Sequence, residues 1–452
     1  MKVKKDRVKI ITLGCSKNLV DSEAILAQLL SDNIEIVKDS SSDQLSLSGK
    51  KQSADAKICD TVIINTCGFI ESAKQESIDE ILKAVKNKNR GLIKNVYVAG
   101  CLSDRYKKEL EKEIPEVDKY FGATDKPHTV LSILKEFGVD YKKNLLGERM
   151  LSTPAHFAYL KISEGCDNPC SFCAIPIMRG GHKSKPIKEV LIEAQKLASK
   201  GVKEIILIGQ DTTYWGLDLY GKRKLSELIN KISEVNGIEW IRLMYAYPAK
   251  FPADLMDIFI NNDKLCKYID IPIQHISENV LKSMRRGISA KNLKKLLYTF
   301  REKIPDIAIR TTLLTGYPGE TEEDFRELLD FVKEFRFDRL GVFTYSHEEG
   351  THAYKYKDSI PNKDKLRRQK LLLEEQRKIS AELNRNSVNK VFKVIIDRIE
   401  NDYYIGRSYK DAPEIDNEVY INKGGNMKQG KFCRVKIYDS EDFDLFAEHV
   451  IL

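Results

Sequence analysis

Apolar runs and helically spaced stretches alternate along the first 140 residues. VKIITLG (8–14), TVIIN (61–65) and KNVYVAG (94–100) are short apolar runs rich in β-branched residues. Each is followed by a segment with helical spacing, about Leu19 to Leu30, 72–87 and onward from Asp104. Strand–helix alternation of this kind predicts an open parallel sheet with covering helices. Residues 38–56, KDSSSDQLSLSGKKQSADA, have no period and read as a solvated surface loop.

A second alternating series begins at Phe157. Its expected strands are 157–163, 204–209, 240–246, 268–273, 307–314 and 339–345, separated by amphipathic stretches. Six βα units in one run predict a partial or full parallel barrel, whose chemistry belongs at the C-terminal ends of the strands. A charged helix over about 363–386 leads into VFKVIID, YYIGRS, NEVYI and CRVKIYD, short strands split by Gly, Asn and Asp. That pattern predicts a small antiparallel β-barrel. The fold class is therefore α/β, with an N-terminal open parallel α/β domain over 1–140, a central (β/α) domain over 152–385 and a C-terminal barrel over 386–452.

Composition changes this picture little. The chain has 452 residues, 42% hydrophobic and 31% charged, an ordinary globular mixture able to bury a core. No apolar run reaches the roughly 20 residues of a membrane helix, and MKVKKDRVKIITLG is too short in its apolar part for an export signal. A cytoplasmic protein with no membrane partner is expected. The formal charge of +8 is spread along the chain, so it permits nucleic acid or a ribonucleoprotein as partner without requiring either.

The nine cysteines carry the chemistry. In a reducing compartment they are not a disulfide framework. Cys166, Cys170 and Cys173 are spaced CxxxCxxC in EGCDNPCSFC, just after the first strand of the six-unit domain. A cubane has four iron corners, so three cysteines leave one iron open, free to chelate S-adenosylmethionine and pass an electron to its sulfonium. A structural zinc site would want a fourth protein ligand, for which His182 is the neighbour at hand. Cys15, Cys67 and Cys101 are far apart in sequence, yet each directly follows an expected parallel strand, in ITLGC, VIINTC and YVAGC. Parallel strands put their C-terminal ends along one edge, so three such thiols point to a second cluster. Cys59, Cys266 and Cys433 stand apart and read as packing.

GCSKNLVDSE, NTCGFIESAKQESI, AGCLSDRY, GCDNPCSFCAIPIMRG, GQDTTYWG, MYAYP, IDIPIQHISENVLKSMRRG, TTLLTGYPGET and GRSYKDAPEID together resemble the radical methylthiotransferases, within them the RimO type. The resemblance covers nearly the whole chain; only 38–56 departs from it. It implies a methylthiotransferase N-terminal domain, a radical S-adenosylmethionine barrel and a C-terminal TRAM domain. It further implies two 4Fe-4S clusters, an auxiliary one on Cys15, Cys67 and Cys101 and a radical-generating one on the catalytic Cys166, Cys170 and Cys173. The implied reaction uses S-adenosylmethionine twice and places a methylthio group on the β-carbon of one aspartate in small-subunit ribosomal protein twelve. A monomer served by an electron donor such as flavodoxin or ferredoxin is expected. Two alternatives remain at this point: a tRNA-modifying methylthiotransferase, against which MYAYP and IPIQHIS speak, and a non-catalytic metal-bound RNA-binding protein.

Other residues at expected strand ends are candidates for holding S-adenosylmethionine. They are Gly209 and Gln210 in LIGQD, Gln274 in IPIQH, and Gly316, Gly319 and Glu320 in TGYPGE. Glycine allows close backbone approach there. His275 and His347 also follow strands and read as structural or substrate-positioning. Over 388–452 there are 10 Lys and Arg against 12 Asp and Glu. Asp411, Glu414, Asp416 and Glu418 form one acidic group and Asp439, Glu441, Asp442 and Asp444 another. A basic ribosomal protein is the expected partner of these acids.

Overall fold

The computed structural model describes residues 6–37, 59–122, 128–424 and 427–450; the expected loop over 38–56 lies outside them. The chain forms two compact units, Met1–Ser152 with Ala174–Gly181, and Thr153–Cys173 with His182–Leu452. Among the described residues no helix is long and apolar enough to cross a membrane.

In the first unit β1 (Arg7–Thr12), β2 (Glu35–Ile36), β3 (Thr61–Thr66), β4 (Asn95–Gly100) and β5 (Lys119–Tyr120) form one parallel sheet in the order β2-β1-β3-β4-β5. The two-residue edge strands β2 and β5 are too short to show a period in sequence. β3 and β4 read as continuous apolar runs because both faces of the sheet are covered. Val62, Ile64, Val96 and Val98 pack against the helices Glu71–Asn89 and Cys101–Glu113. Ile63, Tyr97 and Ala99 turn the other way, into a core with Val8 and the helices Ser16–Ser31 and His128–Glu136.

In the second unit β6 (Phe157–Lys161) is followed by a small antiparallel ribbon, β7 (Ser163–Glu164) and β8 (Lys183–Ser184). Then come β9 (Glu204–Ile208), β10 (Trp240–Leu243), β11 (Leu265–Asp270), β12 (Ala308–Thr315) and β13 (Arg339–Thr344). With β6 they form a six-stranded parallel sheet, each strand beside its predecessor. β6 and β13 are its two edges, so the sheet is open and of the two expected forms the partial one holds. Right-handed crossovers put the helices of such a series on one face and leave the other for a ligand. β11 sits earlier than the expected 268–273. Pro272 has no N–H to give a ladder, so the regular strand stops at Asp270 and pairing resumes only as a single bridge from Gln274 to Leu313.

The helix Asn362–Arg385 leads to β14 (Val391–Glu400), β15 (Tyr403–Ser408), β16 (Val419–Asn422), β17 (Phe432–Ser440) and β18 (Leu445–His449). They close into a barrel in the order β14-β15-β16-β18-β17. Four of its pairs are antiparallel and the fifth, β16 with β18, is parallel. The barrel was expected to be antiparallel, but strand directions cannot alternate all the way around a ring of five. One parallel pair is unavoidable.

The first acidic group of this barrel meets the N-terminal end of the parallel sheet, which corrects its expected role as a docking surface. Asp411 accepts from Arg339 Nε at 2.9 Å, Asp416 accepts from the Tyr268 hydroxyl at 2.7 Å and lies 3.4 Å from Arg310 Nε, and Glu414 accepts from Tyr159 at 3.0 Å. Glu418 is taken by Arg398 within the barrel, at 2.8 Å. Beside them Glu204, the first residue of β9, is fully buried between Arg242 (2.7 Å) and Arg407 of β15 (2.6 Å). Arg407 also holds Asp397 at 2.8 Å, which is in turn 2.7 Å from His156 Nε2. Removing one partner of such a buried network leaves uncompensated charge, at a cost of about 3–5 kcal/mol. Glu204→Gln should therefore lower the unfolding free energy by about that amount in urea titrations. The half-exposed Glu239, 3.4 Å from Lys393, is the control: Glu239→Gln should cost about 1 kcal/mol at most.

Candidate active site

Cys15, Cys67 and Cys101 occupy the C-terminal edge of the first sheet. Thr66 of β3 is paired in register with Gly100 of β4, so Cys67 and Cys101 leave adjacent strands side by side. Gly14, at φ +87°, turns the chain after β1, and a Cβ added there would fall 2.6 Å from Cys67 Cβ and 2.8 Å from its sulfur. Gly68 is as tight, with a Cβ 2.8 Å from the Leu102 backbone. The three thiols are therefore drawn together by backbone approach that only glycine permits.

Buried polar residues hold this edge. Asn18, fully buried, donates to the carbonyls of Leu13 (2.8 Å) and Thr66 (3.1 Å), while Asn65 donates to the Asn18 carbonyl at 2.9 Å. Ser77 Oγ accepts from the Cys67 N–H and donates to its carbonyl, both at 3.0 Å. Arg179, in the short helix Ile175–Arg179 of the same unit, donates to Cys101 Sγ at 3.2 Å, to Asn18 Oδ1, and lies 3.3 Å from Asp21. Ala174 and Met178 pack on Cys101.

The electrostatics divide the trio. Burial raises the Cys67 thiol to about 11, with Cys101 and Cys15 adding to it. Burial also opposes ionisation of Cys15, but Lys17, Arg179 and the amides of Asn18 and Lys17 outweigh it and pull that thiol below its ordinary value. Cys15 is the N-cap of Ser16–Ser31 and Cys101 opens Cys101–Glu113, so two helix N-termini favour negative charge here.

Cys166, Cys170 and Cys173 lie on the loop after β7, each partly exposed. The Cys173 N–H donates to the Cys170 carbonyl at 3.2 Å. Asn168 ties the loop to the end of β9 through Asp211 (2.8 Å), a buried carboxylate that Thr213 also holds (2.6 Å). Ser171 ties it to the Ser283 carbonyl at 3.0 Å and the Tyr317 hydroxyl at 2.8 Å. Burial raises the Cys166 thiol to about 11, with the Asn168 amide opposing and Asp211 and Cys170 reinforcing. Arg286 donates to Cys170 Sγ at 3.1 Å.

The His182 backbone N–H donates to Asp167 (2.9 Å), its ring Nε2 meets Ser184 Oγ (3.1 Å) and the ring lies against Tyr214, while Nδ1 is buried without a hydrogen-bond partner. Among the described residues no three Cys, His, Asp or Glu side chains gather closely enough for a single metal ion. The donor set of each triad, three thiols and no fourth partner, suits a cubane whose corners take one thiolate each. Cys59 and Cys266 are buried packing, and Cys433 packs against the core of the small barrel.

The remaining candidates fall after β9, β11 and β12, on the edge that carries the second triad. Gly209 is forced, since a Cβ there would lie 2.5 Å from Ser163 Oγ. Gln210 follows it, half-buried. Gln274 has φ +71° and continues the ladder to β12 through Thr312 and Leu314. Gly316, at φ +75°, sits where a Cβ would strike the Lys365 side chain at 2.2 Å, while Gly319 is exposed. Glu320 turns back into its own loop. Its buried carboxylate accepts from the Gly316 and Tyr317 amides (2.5 and 3.0 Å) and lies 3.0 Å from Arg368, and burial pushes its pKa up to about 7. It braces its own loop.

His275 is fully buried, its Nδ1 accepting from the Ser277 N–H at 3.0 Å, and burial drops its pKa to about 3. It is a neutral structural residue. His347 is exposed and stacks on Tyr354. The sequence pattern alone did not single out Asn18, Asp211, Arg179 or Arg286, although all four lie inside or beside the quoted motifs.

Residues 160–332 match the radical SAM superfamily, 388–450 the TRAM domain and 39–122 a group described as uncharacterized protein family UPF0004. The chain is 52% identical to the ribosomal protein uS12 methylthiotransferase RimO of Cytophaga hutchinsonii, over 99% of this chain and 98% of that one. It is 49% identical to the protein of that name from Chloroherpeton thalassium, over 100% of both, and 49% identical to that of Bacteroides thetaiotaomicron, over 99% of both. Among solved structures, the radical S-adenosylmethionine methyltransferase TsrM from Kitasatospora setae, with cobalamin and a 4Fe-4S cluster bound, shares the fold. It is 15% identical, covers 75% of each chain and has a TM-score of 0.53.

Proposed function

Since the chain belongs to the RimO-type radical S-adenosylmethionine methylthiotransferases, we propose that its substrate is ribosomal protein uS12 and the product a methylthio group on the β-carbon of one aspartate there. The observation that carries this reading is identity of about half over the full length of relatives named for that protein. Cys166, Cys170 and Cys173 would hold one 4Fe-4S cluster and Cys15, Cys67 and Cys101 a second. When bound, these groups supply an electron for cleaving S-adenosylmethionine at the first triad and a sulfur for transfer at the second.

The chain's own residues do the rest. Asn168, Asp211 and Ser171 fix the cysteine loop to β9 and to the Tyr317 turn, and so would hold the three sulfurs in place. Gly209, Gln210, Gln274, Gly316 and Gly319 form the turns that would admit S-adenosylmethionine, and Glu320 keeps the last of these turns in shape. Asn18, Ser77 and Arg179 hold the other edge. Three functional parts follow, 1–140, 152–385 and 386–452, in a cytoplasmic monomer reduced by a small donor such as flavodoxin or ferredoxin.

Expression in a host lacking its own enzyme of this type tests the reading. Mass spectrometry of uS12 should show one methylthio group in place of one hydrogen, with fragmentation placing it on an aspartate. An unmodified uS12 alongside methylthiolated tRNA would overturn it in favour of the tRNA reading.

A further inference from the structure

Arg286 follows the helix Glu278–Ser283 and is 4% exposed. Its three nitrogens are unequally served. Nη1 donates to Cys170 Sγ at 3.1 Å and Nη2 to the Pro272 carbonyl at 2.5 Å, while buried Nε has no hydrogen-bond partner. The guanidinium lies 4.5 Å from the centre of the Tyr247 ring. The Tyr247 hydroxyl donates to the Arg286 carbonyl at 2.8 Å and is 3.5 Å from Cys170 Sγ.

Other buried arginines of this unit each meet a carboxylate: Arg242 and Arg407 meet Glu204, Arg339 meets Asp411 and Arg368 meets Glu320. Among the described residues Arg286 makes no such pair. The groups that face its guanidinium are the Cys170 sulfur and the Tyr247 ring. A buried cation without a counter-ion is strongly disfavoured, and an aromatic face offsets only part of that cost. A sulfur already within hydrogen-bond reach can supply the missing anion. A metal-bound cysteine is a thiolate whatever the pH, and the sulfur facing Arg286 is Cys170.

We propose that Arg286 is a positioning residue of the second triad, whose counter-ion is the metal-bound Cys170 thiolate. With Tyr247 it fixes that sulfur and raises the reduction potential of the group bound there. This rests on reading the triad as a cluster site. The physical effect is direct: a hydrogen bond and a positive charge at a ligating sulfur stabilise the more negative, reduced state.

The test uses full-length protein with Cys15, Cys67 and Cys101 replaced by Ala, so that a single cluster is observed. Iron content and the midpoint potential, from a redox titration followed by electron paramagnetic resonance, are measured without S-adenosylmethionine. Arg286→Met should bind iron but become about tenfold harder to reduce, about 59 mV for one electron. Arg286→Lys keeps the cation and should stay nearer the parent. Tyr247→Phe keeps the ring and should shift the same way by less. Should Arg286→Met fail to fold, Tyr247→Phe decides: a parental potential there overturns the proposal. Unchanged potential in Arg286→Met with weakened S-adenosylmethionine binding also overturns it, making that ligand's carboxylate the counter-ion. A parent that binds no iron overturns the cluster reading itself, which is a different failure.

Discussion

Replacing Cys166, Cys170 and Cys173 together by Ala should abolish 5′-deoxyadenosine formation and leave about half of the bound iron, because the other triad has its own ligands. The loss should be complete, since these three cysteines are the proposed ligands of the cluster that reduces S-adenosylmethionine. The loop's other anchors, Asn168 to Asp211 and Ser171 to Tyr317, do not involve the sulfurs, so the fold should survive. An anaerobic assay with dithionite, read by chromatography beside an iron determination, checks both halves. Deoxyadenosine from the triple variant would refute the assignment.

The complementary triple variant, Cys15, Cys67 and Cys101 to Ala, should form deoxyadenosine at a rate near the parent's while methylthio transfer falls below detection. Cys67 and Cys101 are buried, so each truncation removes a small apolar volume, and together they should cost about 2–4 kcal/mol. Circular dichroism at the assay temperature separates that loss from unfolding. A methylthiolated product from this variant would return the three residues to packing, and a simultaneous loss of deoxyadenosine would mean that the first unit is needed for the radical chemistry as well.

The two sets of cysteines were legible for different reasons. CxxxCxxC is local, and its spacing alone indicates a shared site. Cys15, Cys67 and Cys101 became visible only through the repeated strand-then-cysteine pattern, which works because parallel strands deliver their ends to one edge. Asn18 was not legible as the staple of that edge. Its partners, the carbonyls of Leu13 and Thr66, become neighbours only once β1 and β3 pair. Asp211 was hidden in the same way, between a loop residue and a turn residue from different βα units.

The acids of 411–418 show the limit of reading charge from a sequence. As a string they form an acidic patch, and the basic residues that neutralise them, Arg310 and Arg339, lie more than seventy positions earlier. Nothing local distinguishes a solvated acid from one that will be buried against a distant arginine.

What the sequence determined by itself is what short-range physics controls. Apolar period and turn residues set where strands and helices form, because backbone hydrogen bonding and side-chain alternation act over a few residues. Proline ended β11 early for the same local reason. Only the tertiary structure decided whether the six-stranded sheet closes, where the one parallel pair of the small barrel falls, and which acids, amides and arginines meet. Those outcomes depend on which distant segments become neighbours. Arg286 is the sharpest case: its sequence marks a cation, and only packing buries that cation against Cys170.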